Sequence, residues 1–157
     1  MRIKSNPKHG IIGKKLYKDI VSTMPIPCVD LLLVHKKNFL LGLRKNKPLQ
    51  NRWCFPGGRI LKGESLTRGV YRKIREELGL SKKSVESVNF LTVKDVFYSD
   101  SAFGVGTHNI NMIYKVKIKQ FNELKPDGQH YELKWFSRID KEWPSYVKFG
   151  LKLAGFK

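Results

Sequence analysis

Glu64, Arg72, Glu76 and Glu77 follow closely on the pair Gly57-Gly58, and this grouping has the makings of a metal site for phosphate chemistry. A carboxylate pair beside the backbone carbonyl of a glycine turn offers hard oxygen ligands to Mg²⁺. That ion prefers partial protein ligation and completes its octahedron with phosphate oxygens and water. Gly57, Glu76 and Glu77 are the candidate ligands, and Arg72 is placed to hold a carboxylate such as Glu64 in position. The plainer alternative is a solvated helix face carrying Arg72–Glu76 and Lys73–Glu77 ion pairs, worth about 0.2–0.5 kcal/mol each.

The elements that must position these groups are legible in the pattern. Leu66, Val70, Ile74 and Leu78 recur every four residues and form one apolar stripe, so a helix follows Ser65 and Gly79 stops it. At about 100° per residue, Lys73 and Glu77 fall on the rim of that stripe, with Arg72 and Glu76 further round. Residues 28–35 are almost continuously apolar, as in a strand covered on both faces. Lys36-Lys37-Asn38 reads as a hairpin turn, and residues 39–44 as the returning strand. Further strands are expected at 90–98, 109–119 and 133–136, with a loop at 99–107. Residues 1–24 form a basic arm with a short helix near 12–21, ended by Pro25 and Pro27. A C-terminal helix is expected over 143–156, within a C-terminal segment 143–157. The pattern is α/β with short connections and no internal repeat, which argues for one domain over residues 1–157.

Composition sets the outer limits. A chain of 157 residues with 41% apolar content can bury one core. No apolar run is long enough to span a bilayer, and the charged N-terminus lacks the apolar stretch of a secretory signal. Cys28 and Cys54 are too few for a disulfide scaffold, so a reducing cytoplasm is expected. The net charge of +18 favours anionic partners. The lysines are scattered along the chain instead of gathered with aromatics, so a plain basic surface is the favoured reading over a nucleic-acid interface, and a nucleotide-shaped substrate is compatible with either.

Lys73 and the pair Gln129-His130 refine the chemistry. A cation at Lys73, four residues before Glu77, weakens a multi-metal cluster by an amount on the order of several kcal/mol at short range, which leaves one metal plausible. Gln129 can offer an amide oxygen to a metal. His130 can take a proton near neutral pH without a large shift.

Residues 57–80 resemble the Nudix box, with Gly58, Glu64, Arg72, Ile74, Glu76, Glu77, Gly79 and Leu80 in register. Lys73 stands where that family has a glutamate. Over residues 24–137 the chain is similar to the GDP-mannose mannosyl hydrolase branch. The segments that carry this likeness begin at Pro27, Phe39, Trp53 and Pro126, the last containing Gln129-His130. The resemblance implies an α/β/α sandwich around a mixed β-sheet, one Mg²⁺, a nucleotide-sugar substrate and a homodimer. It implies Gly57, Glu77 and Gln129 as metal ligands and His130 as the base. It also implies Arg44 and Arg59 at the diphosphate, Arg72 further out, and Asp30 near the sugar. Water would then attack the sugar carbon with inversion and release GDP. The alternative is a pyrophosphohydrolase attacking phosphorus, with Glu76 and Glu77 as ligands. A third reading is a basic module that binds nucleic acid.

Overall fold

A computed structural model describes residues 12–119, 124 and 126–157, so the expected basic arm is seen from Ile12 onward and its first residues lie outside. The centre of the molecule is a seven-stranded mixed sheet. Strand β1 (Ile26–His35) runs parallel to β6 (Thr107–Ile118), and β6 pairs antiparallel with β5 (Val85–Tyr98). On its other edge β1 meets two short partners in turn. Strand β2 (Asn38–Arg44) returns from the hairpin at the C-terminal end of β1, and β4 (Gly57–Arg59) pairs with its first half. Strand β2 also carries β3 (Trp53–Cys54) and β7 (His130–Phe136).

The apolar run in β1 is buried on both faces, and alternate residues serve different layers. Val29, Leu31 and Leu33 pack with Val70, Ile74 and Leu78 of helix α2 (Leu66–Leu78). Leu32 and Val34 pack on the opposite side with Trp143 and with Val147 and Leu151 of helix α3 (Ser145–Leu153). The result is an α/β/α sandwich. Each of these aliphatic side chains contributes about 1.5–3 kcal/mol by leaving water, so the four-residue stripe docks α2 firmly. Leu66, the first member of that stripe, remains exposed. The helix α1 (Lys14–Thr23) packs Val21 against Ile26 and Cys28, beside the partly buried Tyr17 and Phe103.

Several boundaries differ from the sequence reading. Helix α1 begins later than residue 12. Strand β7 starts at His130, not at residue 133, because a register shift in β2 after Leu43 lets Arg44 pair with His130. Helix α3 is shorter than the expected span, since Pro144 takes the capping position and Trp143 belongs to the core before the helix. Cys28 and Cys54 are free and buried, and burial pushes each thiol up to about 12. Among the described residues no helix is long and apolar enough to cross a membrane.

Candidate active site

Helix α2 begins with Ser65, whose hydroxyl accepts the Arg68 amide at 3.3 Å. About two turns later Arg72 clamps the preceding loop. Its Nε donates to Glu64 Oε1 at 2.7 Å and its Nη2 to Glu64 Oε2 at 2.8 Å, a bidentate pair. The same Nη2 reaches the Arg59 carbonyl at 3.0 Å, and Nη1 holds Glu76 at 2.9 Å. Burial alone would raise Glu64. The Arg72 bonds and the Leu61 amide outweigh it, and the carboxyl lies below its usual range. The guanidinium of Arg72 is thus engaged with loop and helix, and it does not line the cavity described below. Its geometry is that of a group that holds the Glu64 carboxylate in place.

Glu77 departs from the rim position that helical geometry assigns it. Strand β7 and the loop before it lie against this end of α2, and only 1% of the Glu77 residue is exposed. Lys73 is buried with it. Its ammonium is 2.9 Å from Glu77 Oε1 and 3.4 Å from Glu76 Oε2. Gln129 Nε2 donates weakly to the same Glu77 oxygen at 3.4 Å. Burial pushes the Glu77 carboxyl up to about 7; Lys73 opposes the shift and the nearby Asp127 carboxylate adds to it. Glu76 remains on the outer side of the helix, 44% exposed at its side chain.

His130 is the first residue of β7, not a loop residue as the sequence suggested. Its Nδ1 lies 2.8 Å from Asp127 Oδ1 and 3.6 Å from Glu77 Oε2. The ring packs face to backbone on Gly42 of β2, where any Cβ would collide with His130 Cδ2. Burial lowers the His130 pKa, with Asp127 pulling the other way. A neutral ring that donates from Nδ1 to Asp127 presents a bare Nε2 to the interior. That nitrogen, like Glu77 Oε2, is buried without a hydrogen-bond partner.

Beside this cluster opens a cavity of about 420 Å³, a size suited to a small ligand. Arg44, Arg59 and Lys73 bring positive charge to its walls. Gly57 of β4 and Gln129, just before β7, also line it, and Tyr17, Tyr98 and Phe103 contribute aromatic surface. Arg44 donates from Nε to the Pro48 carbonyl at 2.8 Å, and the Arg59 guanidinium lies 5.0 Å above the Tyr17 ring. Asp30 also lines the cavity. Its Oδ2 accepts from Asn111 Nδ2 at 2.9 Å and from the Tyr146 hydroxyl at 2.5 Å. Burial pushes Asp30 up to about 6, against the lowering effect of Tyr146, Arg44 and Asn111.

The structure therefore brings Asp30, Arg44, Arg59, Gly57 and Gln129 to one cavity, with Glu77 and His130 behind it and Arg72 and Glu76 on the helix flank. Sequence reasoning assigned no role to Asp127, Asn111 or Tyr146. Asp127, three residues before His130 in a turn, carried a local signal; Asn111 and Tyr146 reach Asp30 only through the fold.

The donor set suits a divalent cation. Glu77, Asp127 and His130 each place a ligand atom within 4.8 Å of the others. The orphaned Glu77 Oε2 and His130 Nε2 are buried polar atoms of the kind that a metal or its water would satisfy.

Comparison with known proteins shows what the chain is similar to. Residues 24–145 match the family model described as NUDIX domain. The low-salt glycan biosynthesis protein Agl8 of Haloferax volcanii is 35% identical over 125 residues, covering 76% of each chain. The oxidized purine nucleoside triphosphate hydrolase of Mus musculus is 25% identical over 134 residues, covering 76% of this chain and 83% of that one. Among solved structures, a MutT NUDIX hydrolase from Burkholderia pseudomallei superposes with a TM-score of 0.69 at 25% identity, covering 83% of this chain and 98% of its own.

Proposed function

The chain belongs to the Nudix family, and we propose that it hydrolyses a nucleoside diphosphate joined to a second group, breaking a P–O bond of the diphosphate. The observation that carries this reading is the placement of three cations on the cavity wall while His130 stays behind it. Arg44, Arg59 and Lys73 suit two linked phosphates, and arginine forks pair well with phosphate oxygens. A base for attack at a sugar carbon must face that carbon with room for water. The buried His130 Nε2 does not line the cavity.

Glu77 and Glu76, with Asp127, the Gln129 amide oxygen and the Gly57 carbonyl, are the groups that would hold one Mg²⁺. When bound, the ion supplies Lewis-acid charge to the phosphoryl oxygens and lowers the pKa of water. The protein's own contribution is positional. Arg72 ties Glu64, Glu76 and the Arg59 carbonyl into one rigid corner. Burial excludes water from Glu77 and strengthens its pull on any cation. Tyr17, Tyr98 and Phe103 offer flat surfaces to a nucleobase, and Asp30 offers an acceptor to a hydroxyl of the second group.

A relative named for glycan biosynthesis makes a sugar the leading candidate for that second group. The same observation favours a second reading, attack at the sugar carbon with His130 as base and a nucleoside diphosphate as leaving group. Hydrolysis of ADP-, GDP- and UDP-sugars in ¹⁸O-water with Mg²⁺ separates the two. Label in a phosphate of the products is the expected result. Label in free sugar would replace it with the carbon-attack reading.

A further inference from the structure

Lys73 is the residue that breaks the glutamate pattern of the box, and its position in the fold gives the substitution a role. Its ammonium bridges Glu77 Oε1 at 2.9 Å and Glu76 Oε2 at 3.4 Å, between the two helix carboxylates that the proposed function assigns to the metal. The side chain is 10% exposed, and what is exposed faces the cavity. It lies over Gly58, where a Cβ would stand 2.9 Å from Lys73 Cε and 3.1 Å from Nζ. The missing side chain at Gly58 therefore leaves the lysine a channel between the carboxylates and the cavity that also holds Arg44 and Arg59.

We propose that Lys73 is a tethered cation that holds the metal's place between Glu76 and Glu77 and gives it up when a phosphate-bearing ligand draws the ammonium into the cavity. An ammonium and a divalent ion cannot share one carboxylate oxygen at contact distance, since like charges a few ångströms apart repel strongly in a buried site. Lysine is suited to the exchange because its charge is a compact point on a flexible stem. A phosphate oxygen offers that point charge an alternative partner as strong as a carboxylate. The ligand-free protein then binds metal weakly, and metal and phosphate load together by mutual linkage.

This inference rests on the reading of Glu77 as a metal ligand, and the test separates the two. Mn²⁺ binding to the full chain, without nucleotide, is read by electron paramagnetic resonance for the wild type, Lys73→Met, Lys73→Arg and Lys73→Met/Glu77→Gln. Lys73→Met is expected to bind Mn²⁺ at least about tenfold tighter than the wild type, and Lys73→Arg to stay weak because it keeps the charge. Equal or weaker binding by folded Lys73→Met would overturn the tethered-cation role. Tight binding that survives Glu77→Gln would overturn the Glu77 reading instead. Saturating ADP chelates Mn²⁺ equally for every chain, so chelation leaves the gap between wild type and Lys73→Met as it is, and the narrowing expected with ADP reports the lysine moving to the phosphate. A gap left unchanged by ADP would show that the lysine does not yield.

Discussion

Two buried carboxylates of this site are treated differently by the fold. Asp30 lies in β1 at the cavity wall, and one of its oxygens is met by two neutral donors, the Asn111 amide and the Tyr146 hydroxyl. Glu77 lies in α2 and meets cations and acids instead: Lys73 on one oxygen, Asp127 nearby, and no hydrogen-bond partner on the other oxygen. Both are raised by burial, to about 6 and about 7. Neutral donors fix a carboxylate in place without neutralising it, which suits an acceptor for a substrate hydroxyl. An unsatisfied oxygen beside a second carboxylate suits a cation. The same residue class is thus tuned for two tasks by its partners.

The largest effect expected from breaking this contrast is at Glu77. Glu77→Gln should lower Mg²⁺-dependent kcat/KM by more than about 100-fold, since even outer partners of metal ligands cost 10–100-fold. Asp30→Asn should leave Mn²⁺ affinity within about twofold, because its partners Asn111 and Tyr146 are neutral donors outside the group of residues that would hold the metal. Equal losses of metal binding in both variants would erase the distinction.

Asp30 sharpens the comparison through pH. Its folded pKa of about 6 exceeds the ordinary 3.8, so the folded state holds this proton more tightly than the unfolded state. The stability of the wild type relative to Asp30→Asn should therefore fall as pH rises from about 4 to about 6, by about 3 kcal/mol in total, and level off above. Urea unfolding of both proteins across that range reads the difference. A relative stability that rises with pH would contradict the assignment.

Smaller effects should come from the supports. Gly42→Ala drives a methyl group into the His130 ring and should cost about 1–3 kcal/mol in thermal or urea unfolding. Shortening the ring in Gly42→Ala/His130→Ala should recover part of that loss. Arg72→Lys loses the bidentate grip on Glu64 and should weaken metal binding about tenfold, with little change in nucleotide affinity measured without metal. Lys117→Ala, which removes an exposed pair with Glu86 across β5 and β6, should change stability by less than about 1 kcal/mol. That variant sets the baseline for charge changes outside the site.

Much of the frame could be read before any coordinates. The apolar run of β1 demanded cover on both faces and received it from α2 and α3. The four-residue stripe placed α2, and Ser65 and Gly79 marked its ends. Element ends were less legible, because His130 joins β7 through pairing with Arg44 far away in the chain. Helical geometry placed Lys73 and Glu77 on a rim, yet a helical wheel knows nothing of Gly58 of β4 beside Lys73, or of β7 and its preceding loop beside Glu77, and both side chains are buried.

By itself, then, the sequence determined the strand β1 covered on both faces, the helix that carries Glu64's partner Arg72 and the acids Glu76 and Glu77, and the cationic character of the chain. These follow from short-range spacing and from the need to bury apolar area. The tertiary structure alone decided which acid became a buried, half-satisfied carboxylate and which became a fixed acceptor. It also decided that Arg72 braces the loop, that His130 lies behind the cavity, and that Lys73 sits between two carboxylates. Burial and partner geometry set those roles, and both depend on residues distant in sequence that only folding brings together.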